Sequence, residues 1–144
     1  MIYLDTSALI KRFVTETGSE TVNKLLGKSG PAVIAKIASA EVHAGLKQKH
    51  QEGFLSGRDY TLSASQFEVD WESYIRVDLH DDILRLARDL TRKHPLRGFD
   101  AIHLASALSL KRATREDLPF AAADTRLLRA TASESLISIN IETA

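Results

Sequence analysis

The chain has 144 residues, 44% hydrophobic and 26% charged, with no cysteine. That size and balance describe a globular domain with a real core and exclude a disulfide framework, a thiolate zinc site and a cysteine nucleophile. Lys and Arg number 19, as do Asp and Glu, so the strongly basic coat of a general nucleic-acid binder is excluded too.

The first segment, Ile2-Tyr3-Leu4, is apolar and strand-like, and Asp5-Thr6-Ser7 are N-cap residue types before a helix predicted over Ala8 to Phe13. A second helix opens at Gly18-Ser19-Glu20 and runs to Leu26. Gly30-Pro31 breaks it, and Ala32 to Ala35 is the next strand. Ala38 to Lys49 is helical, followed by a weaker helix from Ser56 to about Ser73, which carries Tyr60, Phe67 and Trp71. These aromatics and Tyr74 are not interleaved with basic residues, so packing is expected of them rather than base stacking. Tyr74 to Leu79 is predicted as a strand.

His80-Asp81-Asp82 then caps a helix with Ile83, Leu86, Ala87 and Leu90 on one face. Phe99 to Ala113 is apolar on most faces and is expected to be buried; Lys111, Arg112 and Arg115 form a solvated helix end. Pro119 to Ala123 is a short strand, Asp124 to Ala130 a helix, and Leu136 to Ile141 a final strand. No repeat, linker or low-complexity segment divides residues 1–144, so a single domain is expected. No apolar run approaches the ~18 residues of a membrane span. The start lacks a basic n-region and a small-residue cleavage site, so a cytoplasmic protein is expected.

Alternating strands and helices predict a parallel sheet with helices on both faces. Ligands of such sheets bind outside the carboxyl ends of the strands. Four acids fall at that edge: Asp5 after the first strand, Glu41 one turn into the helix after the second, Asp100 in the first turn of the apolar helix, and Asp124 after the Phe120–Ala123 strand. Any one of Asp5, Asp100 and Asp124 is also explained as an N-cap or first-turn acid, and Glu41 as a solvated one. Together they make a cluster whose charges repel and raise one another's pKa, unless a hard divalent cation neutralises them. Without these four, 19 bases face 15 acids, a net of +4 that suits a phosphodiester substrate.

The segments that carry these acids also resemble a known family. Tyr3-Leu4-Asp5-Thr6-Ser7-Ala8-Leu9-Ile10-Lys11-Arg12-Phe13 resembles the opening of PIN-domain nucleases, specifically the VapC-like toxins of toxin–antitoxin modules. Ser39-Ala40-Glu41-Val42, the run from Gly98 to Leu108, and Ala122-Ala123-Asp124-Thr125-Arg126-Leu127-Leu128 resemble their further motifs, in order. The resemblance implies an α/β/α sandwich around a parallel sheet of about five strands. It implies an endoribonuclease dependent on Mg²⁺ or Mn²⁺, with RNA as substrate, a cognate antitoxin that blocks the site, and a homodimer. Carried over residue by residue, Asp5, Glu41, Asp100 and Asp124 form the catalytic and metal-binding quartet, supported by the hydroxyls of Thr6, Ser7 and Thr125.

Arg97, His103 and Arg126 lie close to these acids in sequence and are candidates for substrate contact, although for His103 helix packing is the stronger expectation. Other phosphoryl chemistries lack their motifs. Ser7 stands where a haloacid-dehalogenase-like phosphatase needs its second Asp, and there is no P-loop, dinucleotide fingerprint or nucleophile elbow. A rival of a different class is a catalytically inactive PIN-like scaffold that only binds protein or RNA. The intact quartet argues against it.

Overall fold

The computed structural model describes all 144 residues. Five strands, β1 (Ile2–Leu4), β2 (Ala32–Ala35), β3 (Ile75–Val77), β4 (Phe120–Ala122) and β5 (Ser138–Asn140), form one parallel sheet in the order β3-β2-β1-β4-β5. Seven α-helices flank it: α1 (Thr6–Leu9), α2 (Ser19–Lys28), α3 (Ala38–Gln51), α4 (Gly57–Trp71), α5 (Asp81–Lys93), α6 (Gly98–Thr114) and α7 (Thr125–Ser133).

The period-two alternation of side chains sorts the strand residues into two cores. Ile2, Leu4, Ala32, Ile34 and Ala121 pack with Leu9, Val22, Val42 and Phe67 of α1 to α4. Tyr3, Val33, Ala35, Phe120 and Ala122 pack with Ile83, Leu104 and Leu127 of α5 to α7. The result is the expected α/β/α sandwich. The three central strands are buried on both faces, which is why they read as unbroken apolar runs rather than as alternation.

The expected helix over Ala8 to Phe13 divides instead into α1 and a 3₁₀ turn at Ile10–Arg12. That turn seats Ile10 against α3 at Gly45, where even a methyl group would come within 2.6 Å of Ile10 Cδ1. The third strand is shorter than the expected Tyr74 to Leu79, because β2 offers partners only to Ile75, Arg76 and Val77. The last strand is likewise confined to the three residues that β4 can pair. Phe67 and Tyr74 are core residues, as packing requires. Phe99 departs from expectation: α6 is buried at Ala101 and from His103 to Leu108, but its first turn emerges from the core and Phe99 is 59% exposed.

Glu134, at the C-terminus of α7, accepts from Lys93 Nζ and His94 Nε2 at the end of α5, both at 2.7 Å. The Lys93 hydrogen bond, with help from His94, holds its carboxyl below the ordinary Glu range. A depressed folded pKa gives stability that is present above the unfolded pKa and lost as pH falls through the folded one. Glu134→Gln should therefore cost about 0.5–1 kcal/mol at neutral pH, discounted for the exposed Lys93 end. The loss should vanish in acid below the carboxylate range, as urea melts at two pH values will show.

Candidate functional site

The strand order reverses between β1 and β4. The chain builds outward from β1 to β2 and β3, then returns to place β4 and β5 on the other side of β1. Helices following β1 and β4 therefore depart to different faces, and their starts leave a crevice at the carboxyl edge. Asp5 is the N-cap of α1 and Asp124 the N-cap of α7. Glu41 lies in the first turn of α3 and Asp100 in the first turn of α6. All four acids thus occupy helix starts, where the orphan N–H groups favour negative charge.

Each carboxylate uses one oxygen for the fold. Asp5 Oδ2 accepts from the Ser7 hydroxyl at 2.6 Å and the Ser7 N–H at 3.1 Å. Asp124 Oδ1 accepts from the backbone N–H groups of Arg126 and Leu127. Asp100 Oδ2 accepts from the Arg97 N–H at 3.2 Å. Glu41 Oε1 accepts from Thr6 Oγ1 at 2.8 Å and His103 Nε2 at 2.7 Å. The second oxygens, Asp5 Oδ1, Asp100 Oδ1, Asp124 Oδ2 and Glu41 Oε2, take no hydrogen bond from the protein. The capping reading of Asp5, Asp100 and Asp124 is thus correct and incomplete, and Glu41 is held by two side chains instead of standing free in solvent.

The four carboxylates share one electrostatic field. Burial raises the Asp100 pKa, and the charges of Asp5 and Asp124 raise it further against the opposing Arg97 hydrogen bond and charge. Burial also pushes Glu41 up, but the His103 hydrogen bond and charge and the Thr6 hydroxyl outweigh it and hold that carboxyl low. For His103, burial opposes the charged form, yet the Glu41 hydrogen bond and the charges of Asp5, Glu41 and Asp100 raise its pKa.

Ser7 does more than cap. While its hydroxyl donates to Asp5, it accepts the Ala123 N–H at 3.0 Å, which ties the exit of β1 to the exit of β4. Thr6 reaches Glu41 instead. Thr125, Arg97 and Arg126 are exposed at the starts of α7 and α6, open to solvent and to any ligand there. His103 is corrected as a substrate contact: it is 1% exposed, and its ring nitrogens are taken up by Tyr3, Thr6 and Glu41. Two residues without a sequence signal of their own stand beside these groups: Tyr3, whose hydroxyl is the only side-chain polar atom in β1, and the exposed Phe99, next to Asp100 in the chain.

No three His, Asp or Glu side chains are placed to ligate one ion together. A small hard cation does not need three. Mg²⁺ keeps most of its water and takes one or two direct carboxylates, and the donor set here is entirely carboxylate oxygen, half of it unengaged. The residues fit such an ion and offer nothing to a soft one.

The PIN domain family model matches residues 2–133. The chain belongs to the PIN-domain family, in its VapC-like group. It is 34% identical over 110 residues to Ribonuclease VapC45 of Mycobacterium tuberculosis strain CDC 1551, covering 76% of each. It is also 34% identical over 109 residues to Ribonuclease VapC46 of strain H37Rv, covering 76% of this chain and 75% of that one. The fold is shared with FitAcB from Neisseria gonorrhoeae, at a TM-score of 0.68, 15% identity and full coverage of both chains. It is shared too with a toxin-antitoxin complex from Klebsiella pneumoniae, at 0.62, 20% identity and 88% coverage of each.

Within this PIN domain, Asp100→Asn separates folding from site electrostatics. An asparagine retains a side-chain oxygen to accept the Arg97 N–H, and it removes a charge. An acid whose folded pKa is raised penalises the fold above its unfolded pKa, and that penalty is absent below it. In EDTA at neutral pH, Asp100→Asn should therefore melt at or slightly above the wild-type temperature. The difference should disappear in acid.

Proposed function

We propose that this chain is a Mg²⁺- or Mn²⁺-dependent endoribonuclease, the toxin of a toxin–antitoxin pair, with residues 1–144 acting as one catalytic domain. The observation that carries this reading is the division of labour in the quartet. Four carboxylates at one switch-point edge each spend one oxygen on the fold and keep the other out of any hydrogen bond. Buried and half-buried acids in one another's field are costly to a purely structural protein and useful to a cation-binding one. The ribonuclease names of the relatives supply the substrate class.

Asp5, Asp100 and Asp124 would hold the hydrated ion, one or two of them directly and the rest through its waters. Glu41 Oε2 is available directly or through water. When bound, the ion supplies Lewis-acid polarisation of the phosphate and a water nucleophile at neutral pH. The protein's own contribution is placement. Ser7 fixes Asp5 against β4, and Thr6 and His103 fix Glu41. Arg97, Arg126 and the Thr125 hydroxyl stand exposed for backbone phosphates. Attack by water leaves 5′-phosphate and 3′-hydroxyl ends. No helix is long and apolar enough to cross a membrane, and action on RNA in the cytoplasm fits this reading.

RNA incubated with the purified protein and Mn²⁺ should be cut, with 5′-phosphate ends seen by end-specific ligation and sequencing. EDTA should abolish cleavage, and so should Asp100→Asn in a protein that still melts normally. Cleavage that survives EDTA would refute the metal mechanism. A folded wild type that binds Mn²⁺ and RNA without cutting would instead favour the inactive-scaffold reading.

The partner expected for this cleft is a small antitoxin that inserts an Arg or Lys among the free carboxylate oxygens, replacing the ion's charge with charge-assisted hydrogen bonds. The chain itself is expected to be a homodimer. Gel filtration should give a dimer mass. Co-expression with the adjacent gene should give a complex whose RNA cleavage is suppressed and returns when the partner is removed.

A further inference from the structure

His103 is the one fully buried histidine, on α6 one turn beyond Asp100. A polar ring inside an apolar helix is tolerated only when its nitrogens are satisfied, and both are. Nδ1 lies 2.8 Å from the Tyr3 hydroxyl, and Nε2 lies 2.7 Å from Glu41 Oε1. The Thr6 hydroxyl closes the group, 3.2 Å from Nε2 and 2.8 Å from the same carboxylate oxygen.

Tyr3 is fully buried at the middle of the central strand, and its ring stacks on Phe120 of β4 with centroids 4.9 Å apart and planes 13° apart. The sheet therefore fixes the phenol, the phenol meets the imidazole, and the imidazole meets the carboxylate. This chain of contacts ends at the one quartet member that does not cap its own helix. Asp5, Asp100 and Asp124 are each held by backbone N–H groups within three residues. Glu41 has no such local partner; both groups that hold it come from distant segments, Thr6 and His103. Without them a glutamate side chain at this half-exposed position is free among its rotamers.

The hydrogen on this contact is assigned by chemistry. An ionised carboxylate only accepts, so Nε2 carries a hydrogen whether the ring is neutral or charged. We infer that Tyr3 and His103 form a buried strut that positions the Glu41 carboxylate at the site, so that both are positioning residues and neither touches substrate. The inference rests on the reading of Glu41 as a member of the site.

Four variants test it, each first checked for a normal melting transition. Glu41→Gln should abolish RNA cleavage in Mn²⁺. His103→Leu removes the donor and should lower kcat about 10–100-fold, the usual effect of losing a partner that orients a ligand, with KM for RNA little changed. His103→Gln places an amide N–H near the position of Nε2 and should recover most of kcat. Tyr3→Phe removes one oxygen from a ring that stays packed, and should lower kcat several-fold without unfolding the chain. Independently of activity, ¹⁵N spectra of the metal-free protein should show His103 Nε2 bearing its hydrogen.

A Nε2 without hydrogen overturns the strut. So does wild-type kcat in folded Tyr3→Phe and His103→Leu beside an inactive Glu41→Gln. Should His103→Leu fail to fold, Tyr3→Phe and the spectrum decide. A fully active Glu41→Gln instead overturns the assignment of Glu41 to the site, and the strut's role falls with it.

Discussion

The placement of β4 beside β1 is the constraint on which the rest of this molecule depends. Tyr3 and Leu4 pair with Phe120 and Ala121, so the exits of two strands far apart in sequence become neighbours. Because the chain turned outward through β2 and β3 first, the helices that follow β1 and β4 leave in opposite directions, and a crevice opens between their starts. Asp5 and Asp124 belong to that crevice by topology alone. Asp100 joins because α6 runs back to feed β4, and Glu41 joins because α3 leaves β2 on the same edge.

Concentrating carboxylates here would be expensive anywhere else in the fold. Two features make it tolerable. Backbone N–H groups at helix starts take one oxygen of each aspartate, and an imidazole with a raised pKa stands between Asp5 and Glu41, with Nε2 3.7 Å from Asp5 Oδ1 and in contact with Glu41. Burial, with the charges of Asp5 and Asp124, pushes the Asp100 carboxyl upward against the Arg97 hydrogen bond and charge. Fold and site are thus joined in the same side chains: the oxygen that caps a helix aims the other oxygen.

The Ser7 hydroxyl shows how small a group can carry such coupling. One oxygen donates to Asp5 and accepts from Ala123, so the loop after β1 and the loop after β4 cannot move apart without leaving the half-buried Ala123 N–H unpaired. The Tyr3–His103–Glu41 series does the same across the sheet, joining β1, α6 and α3.

The sequence by itself determined the parallel α/β architecture, because runs such as Ala32 to Ala35 and Phe120 to Ala122 are too short and too uniformly apolar for anything but strands buried on both faces. It also determined the four acids, since N-cap types directly after apolar runs mark strand exits, and their motif context marked the family. Exact limits were beyond it. β3 and β5 end where their neighbours stop offering partners, and the helix after Asp5 tightens where Ile10 meets Gly45, both decided by residues distant in the chain. Helix packing, the stronger expectation for His103, holds, but only the tertiary structure could assign Phe99 to the surface, because a helix with apolar residues on most faces gives no periodicity from which to read a buried side. Which oxygen of each carboxylate is engaged, and which stays free, is likewise set by hydrogen bonds that close only when β1, β4, α3 and α6 come together.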